Sequence, residues 1–372
     1  MSTSQGAPPR LRLPDFPWDA LVPYGERAAA HPGGIVDLSV GTPVDPTPEV
    51  VRRALAAAAD APGYPTTLGT AALREAAVRW LGRRAGAPGL DPGAVIPAIG
   101  SKELVAWLPT LLGLGPGDTV VFPELAYPTY DIGARLAGAD PVASDSVTAL
   151  GPRRVALIWV NSPANPHGRV LPAAHLAKVV AWARERGAVV ASDECYLELG
   201  WEERPVSVLD PAVNGGSLDG LLAVHSLSKR SNLAGYRAGF VAGDPSLVRR
   251  VLEVRKHAGL MVPAPVQAAV AAALDDDAHV DEQRARYARR RDVLRSALVE
   301  AGFRIDHSTA GLYLWATRDE PCWDTVGRLA DRGILVAPGA FYGAAGGSHV
   351  RIALTATDER VDAAAERLTD WE

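Results

Sequence analysis

A lysine that follows a short apolar run carries the most specific chemistry in the sequence. Lys229 ends the segment SLSK at positions 226–229, and Arg237 follows in the segment GYR. Burial and nearby positive charge lower the pKa of an amine and favour its neutral, nucleophilic form. The hydroxyl groups of Ser226 and Ser228 and the guanidinium of Arg237 are natural phosphate ligands. Taken alone, this segment has a simpler alternative, a loop lysine beside a surface arginine.

A carboxylate stands at the end of another apolar run. Asp193 ends the segment AVVASD, and Glu194 and Tyr196 follow it. By itself, an acid in this position is more typical of a cap on the next helix. Together with a lysine amine and a phosphate site, however, it matches pyridoxal 5′-phosphate (PLP), whose ring nitrogen stays protonated beside a carboxylate. We expect Asp193 at the ring nitrogen and Tyr196 at the phenolic oxygen, with Glu194 pointing to the opposite side of the strand.

Three further segments follow apolar runs and bring polar or aromatic groups. Asn165, in NSPANPHG, has an amide that can contact the phenolic oxygen and a substrate carboxylate, although such segments are also common turns. Ser101 and Lys102 open a predicted helix, and the N–H groups at a helix N-terminus bind anions. Tyr127, in ELAYPTY, is either a ring that stacks on the pyridine or an ordinary core aromatic.

An arginine near the C-terminus is a candidate for binding substrate. Arg351 lies in the alternating segment HVRIALTAT. Arginines in such strands are most often surface ion-pair partners, but a guanidinium that faces a cleft binds a carboxylate through two parallel hydrogen bonds. Gly41, in LSVGTP, would allow the backbone to approach the same carboxylate closely.

The elements that must position these groups alternate along the chain. Amphipathic helices, such as those predicted over 102–112 and 172–186, separate six short apolar runs, which indicates an α/β fold with a mostly parallel sheet covered on both faces. The candidate residues follow the ends of these strands, where ligands bind in open α/β sheets. The predicted strands of this sheet are residues 94–98, 119–122, 155–160, 188–192, 221–225 and 238–242.

The C-terminal part has a different pattern. Residues 275–301 are rich in charge and predict a long, exposed helix, and residues 311–317 and 349–355 predict strands. We therefore expect a large PLP-binding domain over residues 46–272 and a smaller α+β domain over 273–372, to which the N-terminal segment 1–45 contributes.

Composition excludes several classes of protein. The chain has 372 residues and a net charge of −5, which does not suit a polybasic nucleic-acid binder. Cys195 and Cys322 are the only cysteines, so a disulfide framework or zinc site is not expected. The start, MSTSQGAPPRLRLPDF, lacks the apolar core of a signal peptide, and no run predicts a membrane span. We expect a cytoplasmic enzyme.

Together, the motifs resemble fold-type I PLP-dependent aminotransferases of the aspartate aminotransferase superfamily. The similar segments are LSVGTP, GYPTTLGTAALREA, GSKE, YPTY, NSPANPHG, SDECY, SLSKRSNLAGYRAGF and VRIALTAT. The resemblance implies a Schiff base between PLP and Lys229, and a homodimer in which Tyr64 reaches the phosphate of the neighbouring subunit. The other roles that it implies follow the pattern above: Asp193 at the ring nitrogen; Tyr196 and Asn165 at the phenolic oxygen; Tyr127 stacked on the ring; Ser101, Lys102, Ser226, Ser228 and Arg237 around the phosphate; Gly41, Asn165 and Arg351 at the substrate carboxylate.

Longer segments, among them IVDLSVGTPVDP and RKHAGLMVPAPVQAA, look like bacterial N-succinyldiaminopimelate aminotransferases. This resemblance implies amino transfer between N-succinyl-LL-2,6-diaminopimelate and 2-oxoglutarate in lysine biosynthesis. The far carboxylate of so long a substrate needs a partner, for which Lys102, Arg230 and Lys256 are candidates. Two residues depart from the common pattern: His167 in the NPHG turn, where little effect is expected, and Arg230 directly after the lysine, expected at the solvent or the substrate entrance.

Other functions remain possible on the same motifs. An aminotransferase for another amino acid and a PLP-dependent C–S lyase share the fold. A PLP-sensing regulator also shares it but needs an added DNA-binding domain, for which about forty residues before LSVGTP leave no room. A nicotinamide-dependent dehydrogenase is disfavoured, because the glycines of GLGPG at positions 113–117 precede a strand instead of following one.

Overall fold

The computed structural model describes residues 13–369. The strands are β1 (Val36–Asp37), β2 (Val95–Ile99), β3 (Thr119–Phe122), β4 (Asp140–Ala143), β5 (Val155–Asn161), β6 (Val189–Asp193), β7 (Leu221–Ser226), β8 (Ala238–Gly243), β9 (Arg304–Ile305), β10 (Tyr313–Thr317), β11 (Ile334–Leu335), β12 (Ala337–Pro338) and β13 (His349–Ala353). The α-helices are α1 (Val22–Ala29), α2 (Glu49–Ala57), α3 (Ala71–Arg84), α4 (Ser101–Leu111), α5 (Thr129–Ala137), α6 (Ala173–Arg186), α7 (Pro211–Asn214), α8 (Leu227–Arg230), α9 (Pro245–Ala258), α10 (Ala264–Asp275), α11 (Ala278–Glu300), α12 (Cys322–Asp331) and α13 (Asp358–Leu368).

Seven strands form the central sheet in the order β2-β8-β7-β6-β5-β3-β4. Strand β8 runs antiparallel to both of its neighbours, and the other pairs are parallel. The mostly parallel sheet predicted from the apolar runs is therefore confirmed. Strand β4 was not predicted, because its sequence DPVA is short and polar and its residues are exposed or half-buried at the edge.

Helices cover both faces of this sheet. Successive strand residues enter opposite apolar clusters: Val121 and Ile158 pack on one side, and Val120 and Leu157 pack on the other. The first side is covered by α2, α3, α6 and α10, and the second by α4, α5 and α9. A strand buried on both faces must be apolar at every position, which explains why these segments lack alternation.

A second apolar cluster lies in the C-terminal part. It packs α11, α12 and α13 against an antiparallel sheet of order β12-β13-β10-β9. Strand β1 pairs in parallel with β11, so Val36 and Asp37 join this part from the N-terminal side. The cluster also includes Tyr196 and Leu199, which follow β6. The domain boundaries expected at residues 45 and 272 stay predictions.

The expectation of an exposed helix over 275–301 was wrong in one respect. Helix α11 is present, but Tyr287 and Leu294 are buried in it, and so is Arg290. The guanidinium of Arg290 donates to Asp45 at 2.6 and 2.7 Å and to Asp358 at 2.6 Å. Charge in the sequence predicts exposure only where no partner is near, and here the partners come from distant segments.

Three absences apply to residues 13–369 only. Within them no helix is long and apolar enough to cross a membrane. No group of three metal-ligating side chains occurs among them. Both cysteines, Cys195 and Cys322, are free. The segment interpreted as lacking a signal peptide lies largely outside the described residues.

Candidate active site

The candidate residues meet at one edge of the central sheet. Strands β5, β6 and β7 are parallel, and Asn165, Asp193 and Lys229 lie at or just beyond their carboxyl ends. Strand β2 is separated from β7 by the antiparallel β8 and therefore ends at the same edge, where Gly100 follows it. The register pairs Ser226 with Gly239. Four loops from distant parts of the chain thus converge where the sequence predicted.

Lys229 lies on α8, a helix of four residues that follows β7. Its amine donates a hydrogen bond to the carbonyl oxygen of Gly41, which joins the loop after β1 to the large sheet. Burial lowers the pKa of this amine, and the positive charges of Arg351 and Arg237 lower it further. A lowered pKa increases the neutral fraction, the form that attacks a carbonyl group. The shift is in the direction that favours the nucleophilic form.

The start of α8 has a serine cap. The Ser226 hydroxyl oxygen accepts a hydrogen bond from the backbone N–H of Ser228 at 3.1 Å, and both side chains are buried. Serine is a favoured N-cap because its oxygen satisfies one of the free N–H groups in the first turn. The Ser226 hydroxyl is thereby held at the start of the helix that carries Lys229.

Arg237 lies against the N-terminus of α4. Gly100 caps that helix with φ of 75°, and a Cβ added there would overlap the Arg237 guanidinium. Arg237 itself has φ of 55°, and its side chain donates to the carbonyl oxygen of Ala234 at 2.7 Å. A guanidinium beside free helix N–H groups, with Ser101 in the first turn, is an arrangement that binds a phosphate.

Asp193 is buried at the end of β6. Its Oδ2 accepts a hydrogen bond from the Tyr130 hydroxyl at 2.8 Å, and its Oδ1 accepts one from the Cys195 N–H at 3.3 Å. Burial raises the pKa of this carboxyl, and the two hydrogen bonds oppose the rise. A cation beside it would favour the carboxylate, which is the role expected at a pyridinium nitrogen. Tyr130 was not identified from the sequence, since it lies on an amphipathic helix like any core aromatic.

Glu194 points to the other face of the sheet, as predicted. Its Oε1 accepts from the N–H of Val208 at 2.8 Å, and its Oε2 lies 3.6 Å from Nε2 of His225. Burial raises the pKa of Glu194 to about 7 and lowers that of His225 to about 3. Glu194 therefore does not share the face that Asp193 presents to the site.

Tyrosine rings lie close to the loop at Gly41, whose carbonyl oxygen accepts the Lys229 hydrogen bond. The hydroxyl groups of Tyr196 and Tyr313 are 3.0 Å apart, and a Cβ at Gly41 would overlap the Tyr313 ring. Only a glycine at position 41 therefore allows the loop to approach this ring. Tyr127 packs edge-on against Tyr130 with 5.9 Å between ring centroids, and burial raises its pKa to about 12. Tyr313 was not identified from the sequence, because in GLYLWATR it looks like a core strand residue.

Arg351 is buried at the centre of the site. Its Nη1 donates to Oδ1 of Asn165 at 2.8 Å, and its Nη2 donates to the carbonyl oxygen of Ser39 at 2.6 Å. The guanidinium lies 3.9 Å from the ring centroid of Tyr313 and 4.8 Å from that of Tyr342. Among the described residues its Nε has no hydrogen-bond partner. A buried N–H without a partner is costly, so this group is available to an acidic ligand.

Three of the predicted residues lie outside this cluster of contacts. Lys102 is exposed, and its ammonium lies 5.5 Å from the ring centroid of Phe16. Tyr64 is 98% exposed, so its side chain is free to contact another subunit. Lys256 is exposed on α9 and pairs with Glu253 at 2.7 Å.

Arg230 and His167, the two residues that depart from the family pattern, lie in different surroundings. Arg230 was expected at the solvent or the substrate entrance, and this was wrong: its side chain is 6% exposed and pairs with Glu198. Arg230 is the last residue of α8, and its guanidinium pairs with a carboxylate that could not be assigned from the sequence. His167 is half-buried, and its Nδ1 accepts from the N–H of Arg169 at 3.2 Å. Burial lowers the pKa of His167 to about 3.

The arrangement fits PLP, the group that the sequence predicts. The cofactor needs an amine, a phosphate site and an acid, and the structure places Lys229, Arg237 with the α4 N-terminus, and Asp193 at one edge. Because Gly100 has no side chain, the Arg237 guanidinium lies directly against the N-terminus of α4, where helix N–H groups and a cation together suit a phosphate. The unpartnered Nε of Arg351 marks a second anion site nearby.

Comparison with known proteins agrees with this geometry. Residues 34–368 match the family described as aminotransferase class I and II. The chain is 67% identical over 357 residues to the 4-dedimethylamino-4-oxo-anhydrotetracycline transaminase OxyQ of Streptomyces rimosus, covering 96% of this chain and 99% of that one. It is 65% identical to the probable aminotransferase Rv1178 of Mycobacterium tuberculosis, covering 96% and 85%. A structure of a probable N-succinyldiaminopimelate aminotransferase from Thermus thermophilus superposes with a TM-score of 0.83 at 30% identity, covering 95% and 98%.

Proposed function

Because the chain belongs to the class I and II aminotransferases, whose members use PLP, we propose that it moves an amino group between an amino acid and a 2-oxo acid at the site built around Lys229. The observation that carries this proposal is the convergence of a lysine of lowered pKa, a buried acid and a buried guanidinium at one sheet edge. No single sequence motif would by itself bring these three residues together.

Each part of the cofactor has protein groups that suit it. When bound, PLP withdraws electrons from the α-carbon of the amino acid attached to it. Asp193 would hold the ring nitrogen in its charged form, and Tyr196 and Asn165 would donate to the phenolic oxygen. Tyr127 would cover the pyridine ring. Ser101, Ser226, Ser228 and Arg237 would bind the phosphate, with Lys102 next to Ser101 on the same helix.

Lys229 moves the proton. Its amine would take the α-proton of the amino acid and give a proton back, while PLP would carry the amino group and water would release the 2-oxo acid. Because PLP would keep the amino group after the first 2-oxo acid leaves, the two substrates bind in turn at one site and the kinetics are ping-pong. Burial serves this role by lowering the pKa of the amine toward the neutral form and by excluding water.

Arg351 binds the α-carboxylate end of the substrate and so fixes its orientation. A buried guanidinium with a free Nε suits the α-carboxylate shared by amino acids and 2-oxo acids. Asn165 and the backbone at Gly41 complete this subsite. A carboxylate subsite does not by itself distinguish a transaminase from a C–S lyase, but the two most similar relatives described above are named as aminotransferases.

For the substrates, we propose N-succinyl-LL-2,6-diaminopimelate and 2-oxoglutarate, giving N-succinyl-2-amino-6-oxopimelate and glutamate, a step of diaminopimelate and lysine biosynthesis. The similar Thermus thermophilus structure supports this choice by its name. The far carboxylate needs a cation, and Lys102 is the better placed candidate, since it follows Ser101 and its ammonium is exposed. Arg230 is removed from the candidates by its burial, and Lys256 is already paired.

The Streptomyces rimosus relative favours a second acceptor. Its name specifies a 4-oxo-anhydrotetracycline, and its 67% identity covers almost its whole length. An acceptor of that shape would use the same Lys229 and Asp193, but a different set of contacts beyond the reacting carbon. The two candidates therefore share the first half-reaction with an amino donor and differ only in the second.

The test follows the absorbance of protein loaded with PLP. Adding glutamate should convert the bound cofactor to its pyridoxamine form; no conversion with any amino donor would overturn the assignment to transamination. The converted protein is then given, in separate reactions, the oxo forms of succinylated and acetylated diaminopimelate, of common amino acids and of the anhydrotetracycline. The oxo compound that restores the starting spectrum fastest identifies the acceptor. Lys229→Ala should neither convert nor turn over.

We also propose a homodimer with Tyr64 contributed across the interface. Support comes from the 98% exposure of this side chain, which is unusual for a tyrosine without a partner. Neither Lys229→Ala nor Tyr64→Ala should be fully active alone, but mixed dimers of the two contain one site with both native residues. Recovery of activity on mixing supports the exchange, whereas a Tyr64 that serves its own subunit would give none.

A further inference from the structure

Behind the site, a buried ion pair involves the residue that follows Lys229. The side chains of Arg230 and Glu198 are 6% and 5% exposed, and the Nε of Arg230 donates to Oε2 of Glu198. The Nη1 of Arg230 also donates to Oγ of Ser231 and to the carbonyl oxygen of Ala273, both at 3.1 Å. Arg230 is therefore fastened to two segments outside its own helix.

The length of α8 makes these contacts important. It contains only four residues, Leu227–Arg230, and a helix this short has no stability of its own. Its placement must come from its neighbours. Ser226 holds its first turn through the N-cap bond, and Arg230 anchors its last residue. Lys229 lies between these two anchors.

Helix α11 contacts the same rear face. The Tyr287 hydroxyl donates to the backbone oxygen of Lys229 at 3.3 Å, and Nε2 of His279 lies 2.8 Å from Oγ of Ser231. Glu198 also accepts from Nε of Arg84 at 2.9 Å, which ties the pair to α3. Helix α8 and its immediate neighbour Ser231 are thus contacted by side chains of α11 and of the loop after β6 and by a backbone oxygen of α10, and α3 contacts Glu198 in turn.

We infer that Arg230, through its buried pair with Glu198, is a positioning residue that sets the orientation of Lys229 toward the cofactor and the α-proton. This inference rests on the proposed function, since it assigns no chemistry to Arg230 itself. A lysine that must act first as attachment point and then as base needs its backbone held closely, because small misplacements of a catalytic group lower the rate steeply. Arginine suits the place because its forked guanidinium reaches several acceptors at once, which lysine cannot do.

The main test compares Arg230→Lys with Arg84→Lys. Both variants keep the charge next to Glu198, but only the first changes a residue of α8. Arg230→Lys should lower kcat with glutamate about 10-fold or more while KM changes less than about 3-fold. It should also weaken PLP binding to the apoprotein, measured by titration, and raise the kinetic isotope effect with α-deuterated glutamate. Arg84→Lys should leave all three readouts near those of the native protein.

A double variant separates positioning from stability. Arg230→Met alone leaves Glu198 with one fewer cation, and it should lower the melting temperature; Arg230→Met/Glu198→Met removes both charges and should restore that temperature but not kcat. Recovery of both would overturn the inference, as would native kinetics and PLP affinity in Arg230→Lys. The two proposals fail separately: an active Lys229→Ala variant overturns the proposed function and this inference with it, whereas an inactive one beside a fully active Arg230→Lys overturns the inference alone.

Discussion

Nη1 of Arg351 donates to the side-chain oxygen of Asn165 at 2.8 Å, joining residues 186 positions apart in the chain. Arg351 comes from β13 of the antiparallel sheet, and Asn165 comes from the loop after β5 of the central sheet. The contact connects the predicted carboxylate subsite to the predicted partner of the cofactor's phenolic oxygen. We therefore expect binding of the substrate carboxylate and orientation of the cofactor to be linked through this hydrogen bond.

Replacing Arg351 with Lys should weaken substrate binding more than it slows the chemistry. A lysine keeps the charge but cannot contact Asn165, Ser39 and a carboxylate together. We expect KM for glutamate to rise about 100-fold, with a smaller change in kcat, in steady-state assays. Arg304→Lys, at an exposed position on the same sheet, is the control and should leave KM unchanged. An unchanged KM in Arg351→Lys would contradict the assignment.

Asp193→Asn should lower kcat at least about 100-fold with little loss of stability. An asparagine can still bond to the Tyr130 hydroxyl and the Cys195 N–H, so the local structure is kept. It cannot hold a negative charge beside the ring nitrogen. The control is Glu194→Gln, which changes the adjacent acid on the opposite face and should stay within about 3-fold of native kcat. An equal loss of kcat in both variants would contradict the assignment of Asp193, because the two acids lie on opposite faces of the sheet.

Gly100→Ala should weaken PLP binding beyond its effect on the fold. Gly100 and Gly89 have φ of 75° and 79°, so alanine strains the backbone at either position. Only at Gly100 would the new Cβ overlap Arg237; at Gly89 nothing lies within 4 Å. We expect both variants to lose about 1 kcal/mol of stability and only Gly100→Ala to raise the dissociation constant of PLP, about 10-fold. A similar rise in Gly89→Ala would remove the phosphate interpretation.

His167→Thr should make the protein more resistant to acid. Burial lowers the pKa of His167 to about 3, against 6.5 for an unperturbed histidine. Between these values the unfolded chain binds a proton that the folded protein does not, so native stability falls as the pH drops below 6.5. The variant lacks this loss and should gain about 2 kcal/mol relative to the native protein between pH 7 and pH 5, measured by urea unfolding. A difference that is the same at both pH values would contradict this.

The strands and motifs of the large sheet could be predicted from the sequence because their signals are local. A strand buried on both faces is apolar throughout, so runs such as VALIWV are visible without any partner. The carboxyl ends of parallel strands meet at one edge of the sheet. This rule predicted that Asn165, Asp193 and Lys229 lie close together. The polar edge strand β4 lacked such a signal and was not predicted.

The side chains that contact the motif residues could not be predicted in the same way. Tyr130 and Tyr313 look like ordinary core aromatics, and only the folded chain shows that their hydroxyl groups reach Asp193 and Tyr196. Arg290 looked exposed because charge usually predicts exposure, and its partner Asp45 lies 245 positions away.

By itself, the sequence determined the family, most strands of the large sheet and the candidate residues that follow them, because apolar runs and motif spacing are properties of neighbouring residues. The tertiary structure decided which way each side chain faces. Arg230 shows the difference: a helix of four residues has no periodicity from which to infer a buried face, and Glu198 reaches it from another segment. Partners of buried charges are chosen by long-range packing, which no local pattern contains.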